Sequence, residues 1–150
     1  MLERVIESVV MSALAEALPD GVSMQGAWQP SGPGAVKGHE SPDAVAYVGV
    51  AVSPRAFETF TTPKATFSVA VSLKVRDERD PDGSTFNACA ESILAKLQAW
   101  QTSIHDVRAD FQISGFAPSG LRIDGGSVSR DDVAGAMVMS ESFTIRGILC

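Results

Sequence analysis

The sequence predicts an α+β domain: a mainly antiparallel sheet with two amphipathic helices packed on one face. Three observations carry that expectation. Apolar residues recur at helical spacing in two places, near the N-terminus and again from about residue 85. Elsewhere the chain shows period-two alternation or short unbroken apolar runs, the patterns of half-buried and fully buried strands. Short or irregular links join these strand patterns, which favours antiparallel neighbours over crossover units. With 150 residues, no internal repeat and no polar linker, residues 1–150 are expected to form one domain carrying long loops at 26–43 and 53–64.

The first helix is written in Leu2, Val5, Ile6, Val9, Val10, Ala13, Leu14, Ala17 and Leu18, with Glu3, Arg4, Glu7 and Glu16 on other positions. "LPDG" (18–21) ends it. The charges at 3, 4 and 7 argue for a helix over a secretory leader. Its apolar stripe is expected to dock on the domain's own sheet, because a domain this size must cover that face. Residues 26–43 are rich in Gly, Pro and Ser and lack periodicity, so they read as a loop. "AVAYVGVAV" (44–52) reads as a strand buried on both faces. "SPRAFETFTTPK" (53–64) is broken by two prolines yet carries Phe57 and Phe60, which are either tucked under the sheet edge or offered to a partner.

From Ala65 to Glu78 the alternation is cleanest. Phe67, Val69, Val71, Leu73 and Val75 mark the core side, and Ser68, Ala70, Ser72, Lys74 and Arg76 the other. That second side is small and polar, able to face water or pack closely on another chain. The stretch is long enough to project beyond the domain, since strands usually run to about five or six residues. The second helix is expected from about Thr85 to Trp100, with Ser84 as N-cap and Phe86, Ala90, Ile93, Leu94 and Leu97 on its apolar side. Strands are expected over Val107–Ser114, Leu121–Val128 and Ala136–Ile148, the last with Glu141 as the exception in an apolar row.

Charge and composition limit the function. A net charge of −6 with scattered Lys and Arg argues against a protein whose main job is gripping nucleic acid. The longest apolar run away from the N-terminus is too short to span a bilayer, so no membrane partner is expected. Two cysteines, Cys89 and Cys150, make no disulfide framework, and an intracellular, soluble chain is the default.

The densest chemistry lies in "RDERDPDGST" (76–85), with Asp77, Glu78, Asp80 and Asp82 in six positions. Aligned on a calcium loop, Glu78, Asp80 and Asp82 fall at positions one, three and five, and Gly83 at six. The pattern then fails: Thr85 stands at eight and Cys89 at twelve, where a bidentate Glu is needed. No metal site is expected. "DPDG" reads instead as a turn before a capped helix, its charge a solvated or partner-facing edge. Cys89 falls near the apolar side of the helix, where a thiol is a small hydrophobe more often than a nucleophile. His39 and His105 have no local partner that would make a Cys–His pair, and no nucleophile elbow, phosphate loop or zinc motif is present. The glycine-rich "SGPG" and "DGGS" read as turns. No cofactor and no catalytic residue is expected.

One resemblance adds to this. The alternating strand "ATFSVAVSLKVRDERDPDG" runs through an acidic turn into a helix ending "LQAW"; an amphipathic helix precedes it and "SESFTIRGIL" closes the chain. This pattern of elements resembles the small tail-terminator or tail-completion (neck) proteins of tailed bacteriophages. The resemblance implies a non-enzymatic α+β subunit of the virion, forming a ring that is typically a hexamer. It implies partners too: a tail tube protein on one side, a head-completion protein on the other, and DNA passing the lumen without specific binding. Ring contacts must be head to tail and need two different surfaces. Phe57 and Phe60, and the acidic residues Asp77, Glu78, Asp80 and Asp82, are the candidate contact residues.

Overall fold

The computed structural model describes residues 2–19, 21–26, 45–58 and 63–150, with the backbone alone for 55–58. The order of elements is α1 (Leu2–Ala17), β1 (Val22–Gly26), β2 (Ala46–Glu58), β3 (Lys64–Arg76), a 3₁₀ turn (Asp77–Arg79), α2 (Ser84–Thr102), α3 (Ile104–Asp110), β4 (Phe116–Asp131) and β5 (Ala136–Leu149). One sheet takes all five strands in the order β1-β2-β3-β5-β4. β1 lies parallel to β2, and every other pair is antiparallel. The expected α+β class and its mainly antiparallel sheet hold.

Register explains the burial pattern. β3 pairs Val71 with Val50 on one side and with Glu141 on the other, and Val69 with Val52 and Phe143. These residues share the face covered by the helices, because directly opposed residues in a ladder point the same way. α1 brings Ile6, Val10 and Leu14 to that face, and α2 brings Phe86, Cys89, Ile93, Leu97 and Trp100, all in one continuous core. α1 and α2 also touch each other, as expected for helices sharing a face. Trp100 sits at the centre of an aromatic group, 5.0 Å from Phe111 and 5.9 Å from Phe143 between ring centroids. No helix among the described residues is long and apolar enough to cross a membrane.

Six expectations need correction. "DGGS" (124–127), expected as a turn, lies within β4. Residues 107–110, expected in a strand, form α3, capped by Ser103, whose Oγ accepts the Asp106 N–H at 3.3 Å. There Val107 and Phe111 bury at helical spacing, four apart, a periodicity too short to tell from alternation. β1 was not expected at all; five residues of mixed character carry little signal. Residues 53–58, expected as a connection, continue β2. Pro54 is tolerated because β1 pairs only with Ala46–Val50, so β2 beyond that point is an edge among the described strands, and a register shift falls between Pro54 and Ala56. β3 does not project: it runs the full length of the sheet between β2 and β5, and its 13 residues are long because its partners are. The sixth concerns the cap of α2: Ser84, expected there, is not the capping residue. Residues 27–43 of the expected loop lie outside the described residues.

Candidate interaction surfaces

The acidic stretch resolves into three different jobs. Asp80 is buried at 8% exposure, and both of its carboxylate oxygens accept backbone N–H groups, from Thr85 at 3.0 Å and from Phe86 at 2.9 Å. These are amides of the first turn of α2 that have no partner within the helix. Asp80, not Ser84, therefore caps α2; Gly83 occupies the N-cap position with φ 77°, a left-handed conformation that glycine adopts without strain. Asp82 is exposed and accepts from Ser84 N at 3.1 Å and Ser84 Oγ at 2.8 Å, bonds that hold its carboxyl below the usual range. Asp77 pairs with Arg130 of β4, whose Nε also reaches Asp132 at 3.2 Å, and these carboxylates hold the guanidinium's proton still more firmly. A backbone bond from Asp77 N to Gly135 O, 2.9 Å, ties the same turn to the β4–β5 hairpin. Glu78 stands exposed.

The turn and the tip of the hairpin thus form one acidic end of the molecule. Beside it lies an open groove of about 530 Å³ between the start of α2 and the far half of the hairpin, its floor made by Phe86, Leu94, Val128, Met137 and Met139. No group of three or more metal-ligating side chains occurs among the described residues. Asp80 has both oxygens committed to the helix, which by itself removes the central ligand of the loop pattern.

The other candidates separate. Phe57 lies in β2 with its backbone opposite Ala65, and its side chain is outside the described residues, as are Phe60 and His39. Cys89 is fully buried on α2; burial first, and then the nearby charge of Asp80, push its thiol up from the ordinary value, away from a nucleophilic state. His105 is exposed on α3. Among the core elements, Asp110 accepts Trp100 Nε1–H at 2.7 Å and Lys96 Nζ at 2.8 Å, which satisfies the indole of a buried tryptophan.

A second surface became visible only with the register. On the sheet face opposite the helices, Gly49 and Ala51 of β2 lie beside Ser72 and Ala70 of β3, which lie beside Ser140 and Ser142 of β5. The result is a shallow trough of about 520 Å³ lined mostly by glycine, alanine and serine, with Glu141 the one charged residue of its lining. The β3 part of it was legible as alternation; the rest was not, since it depends on which residues of β2 and β5 are placed opposite.

No protein-family model and no curated protein matches the chain. Among solved structures, the chain is similar in fold to a chain of the virion of a native gene transfer agent particle, at 18% identity and a TM-score of 0.53. The similarity covers 95% of this chain and 94% of that one, so the likeness is of the whole fold and not of a shared fragment.

Proposed function

We propose that the chain is a structural virion protein that assembles as a ring at the head-proximal end of a phage-type tail tube. In that reading the ring, a hexamer by the resemblance in the sequence, joins the tube to a head-completion protein and lets DNA pass its lumen. The observation that carries the reading is the end-to-end fold similarity to a chain of a phage-like virion particle. The two surfaces described above support it, because a ring needs a pair of unlike patches on each subunit. The trough of small residues suits close contact with another chain, its small side chains letting backbones approach. The acidic end, with Glu78 and Asp82 exposed and Asp77 held by Arg130, suits a basic partner on one face of the ring; Phe57 and Phe60 are the proposed apolar contacts. A net charge of −6 fits a lumen that does not hold DNA.

Electron microscopy of the purified chain mixed with tail tubes assembled from the tube protein of the same genome tests this. The expected result is ring density of about six subunits at one end of each tube, in keeping with closed cyclic symmetry. A chain that neither sediments with the tubes nor forms rings at any concentration would sink the reading. Flanking genes for a tail tube or head-completion protein would support it at no experimental cost.

A further inference from the structure

We propose that two copies of this chain pair through the free edge of β4, joining their sheets into one. β4 ends the sheet, and no described strand pairs with its outer side. From Gly125 to Arg130 every residue is exposed, and Val128, on the helix side, is 58% exposed. Soluble proteins usually blunt such an edge with lysine, proline, a short strand or a covering element. Residues 125–131, "GGSVSRD", contain neither lysine nor proline; their two charges, Arg130 and Asp131, stand together at one end, and the register shift between Ile123 and Gly125 adjoins the other end.

The sequence of this edge is complementary to itself. An antiparallel pairing about a two-fold axis at Val128 places Val128 against Val128 of the second copy and Ser127 against Ser129. It also places Gly126 against Arg130 and Gly125 against Asp131. No like charges are opposed over the seven residues, and the two exposed valines cover one another. The charge match goes further. Half-buried Glu141 on β5 pairs with Gly126 and lays its carboxyl over it, in the space a side chain at 126 would fill. The second copy's Arg130, which within its own copy pairs with Asp77 and Asp132, lies opposite Gly126 on the same face, and Glu141 is thereby brought beside it as a further carboxylate. The axis repeats this contact, so each dimer holds two such pairs. The pairing extends the five strands of each copy into a single sheet with the helices of both copies on one side. This contact is two-fold, whereas the ring contacts proposed above are head to tail, so it is a separate contact, although it shares Gly125, Gly126 and Ser127 with the trough and Arg130 with the acidic end.

Site-specific cross-linking of the full chain tests the pairing. In a Cys150→Ser background, Val128→Cys sets two thiols directly opposite at the axis, within disulfide reach for an antiparallel pair. Val133→Cys, on the fully exposed hairpin tip, is the control, because its two copies would stand about 30 Å apart at the rise of a strand. Sedimentation at about 100 µM, a concentration at which a micromolar contact is nearly saturated, should give twice the 15.8 kDa mass of the chain. Mild oxidation should convert most of the Val128→Cys chain, and little of the Val133→Cys chain, to covalent dimer. A monomer in sedimentation, or equal cross-linking at 128 and 133, would overturn the pairing and leave the ring reading, which is judged on tail tubes, standing.

Discussion

The carboxylate of Asp80 accepts the backbone N–H of Phe86 at 2.9 Å, reaching across a Pro–Gly turn to fasten the end of β3 to the start of α2. With its bond to Thr85 it satisfies two amides that would otherwise be buried without partners. Asp80→Ala is expected to destabilise the fold by about 1–2 kcal/mol, the range of a lost helix cap. Asp82→Ala, at an exposed carboxylate, should cost much less. Urea unfolding of both variants checks the order. Added calcium should shift neither transition, because both oxygens of Asp80 are already engaged.

Gly147 of β5 packs directly against the core. A Cβ there would overlap the ring of Phe116 and stand 2.7 Å from the carbonyl oxygen of Ala117. Phe116 cannot withdraw, since it packs edge-on against buried Phe67 at 5.8 Å. Gly147→Ala should therefore cost about 1–3 kcal/mol, as overpacking does. Adding Phe116→Leu should recover part of that loss in a double-mutant cycle, which a purely conformational effect would not do.

Asp110 links α3 to the buried indole of Trp100. Burial pushes its carboxyl up, but the hydrogen bonds from Lys96 and Trp100, with the charge of Lys96, outweigh this and hold it below its ordinary value of 3.8. The folded state thus binds its proton less readily than the unfolded chain does. Its contribution to stability is complete above about pH 4 and is lost as pH falls through the lowered folded-state value. Thermal unfolding from pH 6 to 2 should show this acid limb, and Asp110→Asn should flatten it.

Cys89 and Cys150 should differ sharply toward thiol reagents, one being buried and the other exposed. At pH 8 one equivalent is expected to react quickly, at Cys150, and the second only in denaturant. Rapid reaction of Cys89 in the folded chain would reopen the case for a nucleophile on α2.

How far the residues alone reach is clearest at β3 and β2. The alternation from Phe67 to Val75 names its own core face, because period two is a local property of the chain. The same reasoning stopped β2 at Val52, just before Pro54, since proline removes a ladder donor. Whether that donor is needed depends on β1 ending its pairing at Val50, which is a fact about a neighbouring strand. α3 failed for the opposite reason: a seven-residue helix contributes too few turns to display its period.

The acidic stretch shows the same division. Its sequence determined that a turn with Gly83 at the break leads into a helix, and that the loop lacks the last ligand of a calcium site. Only the tertiary structure decided that Asp80 turns inward to cap α2, that Asp77 reaches Arg130 fifty-three residues away, and that Glu78 and Asp82 stay in solvent. Helical and alternating periods are written locally, by the geometry of one element. The partner of a carboxylate, the register that lines Gly49, Ser72 and Ser140 into one trough, and the strand left at the edge are set by how distant segments pack. No window along the chain contains them.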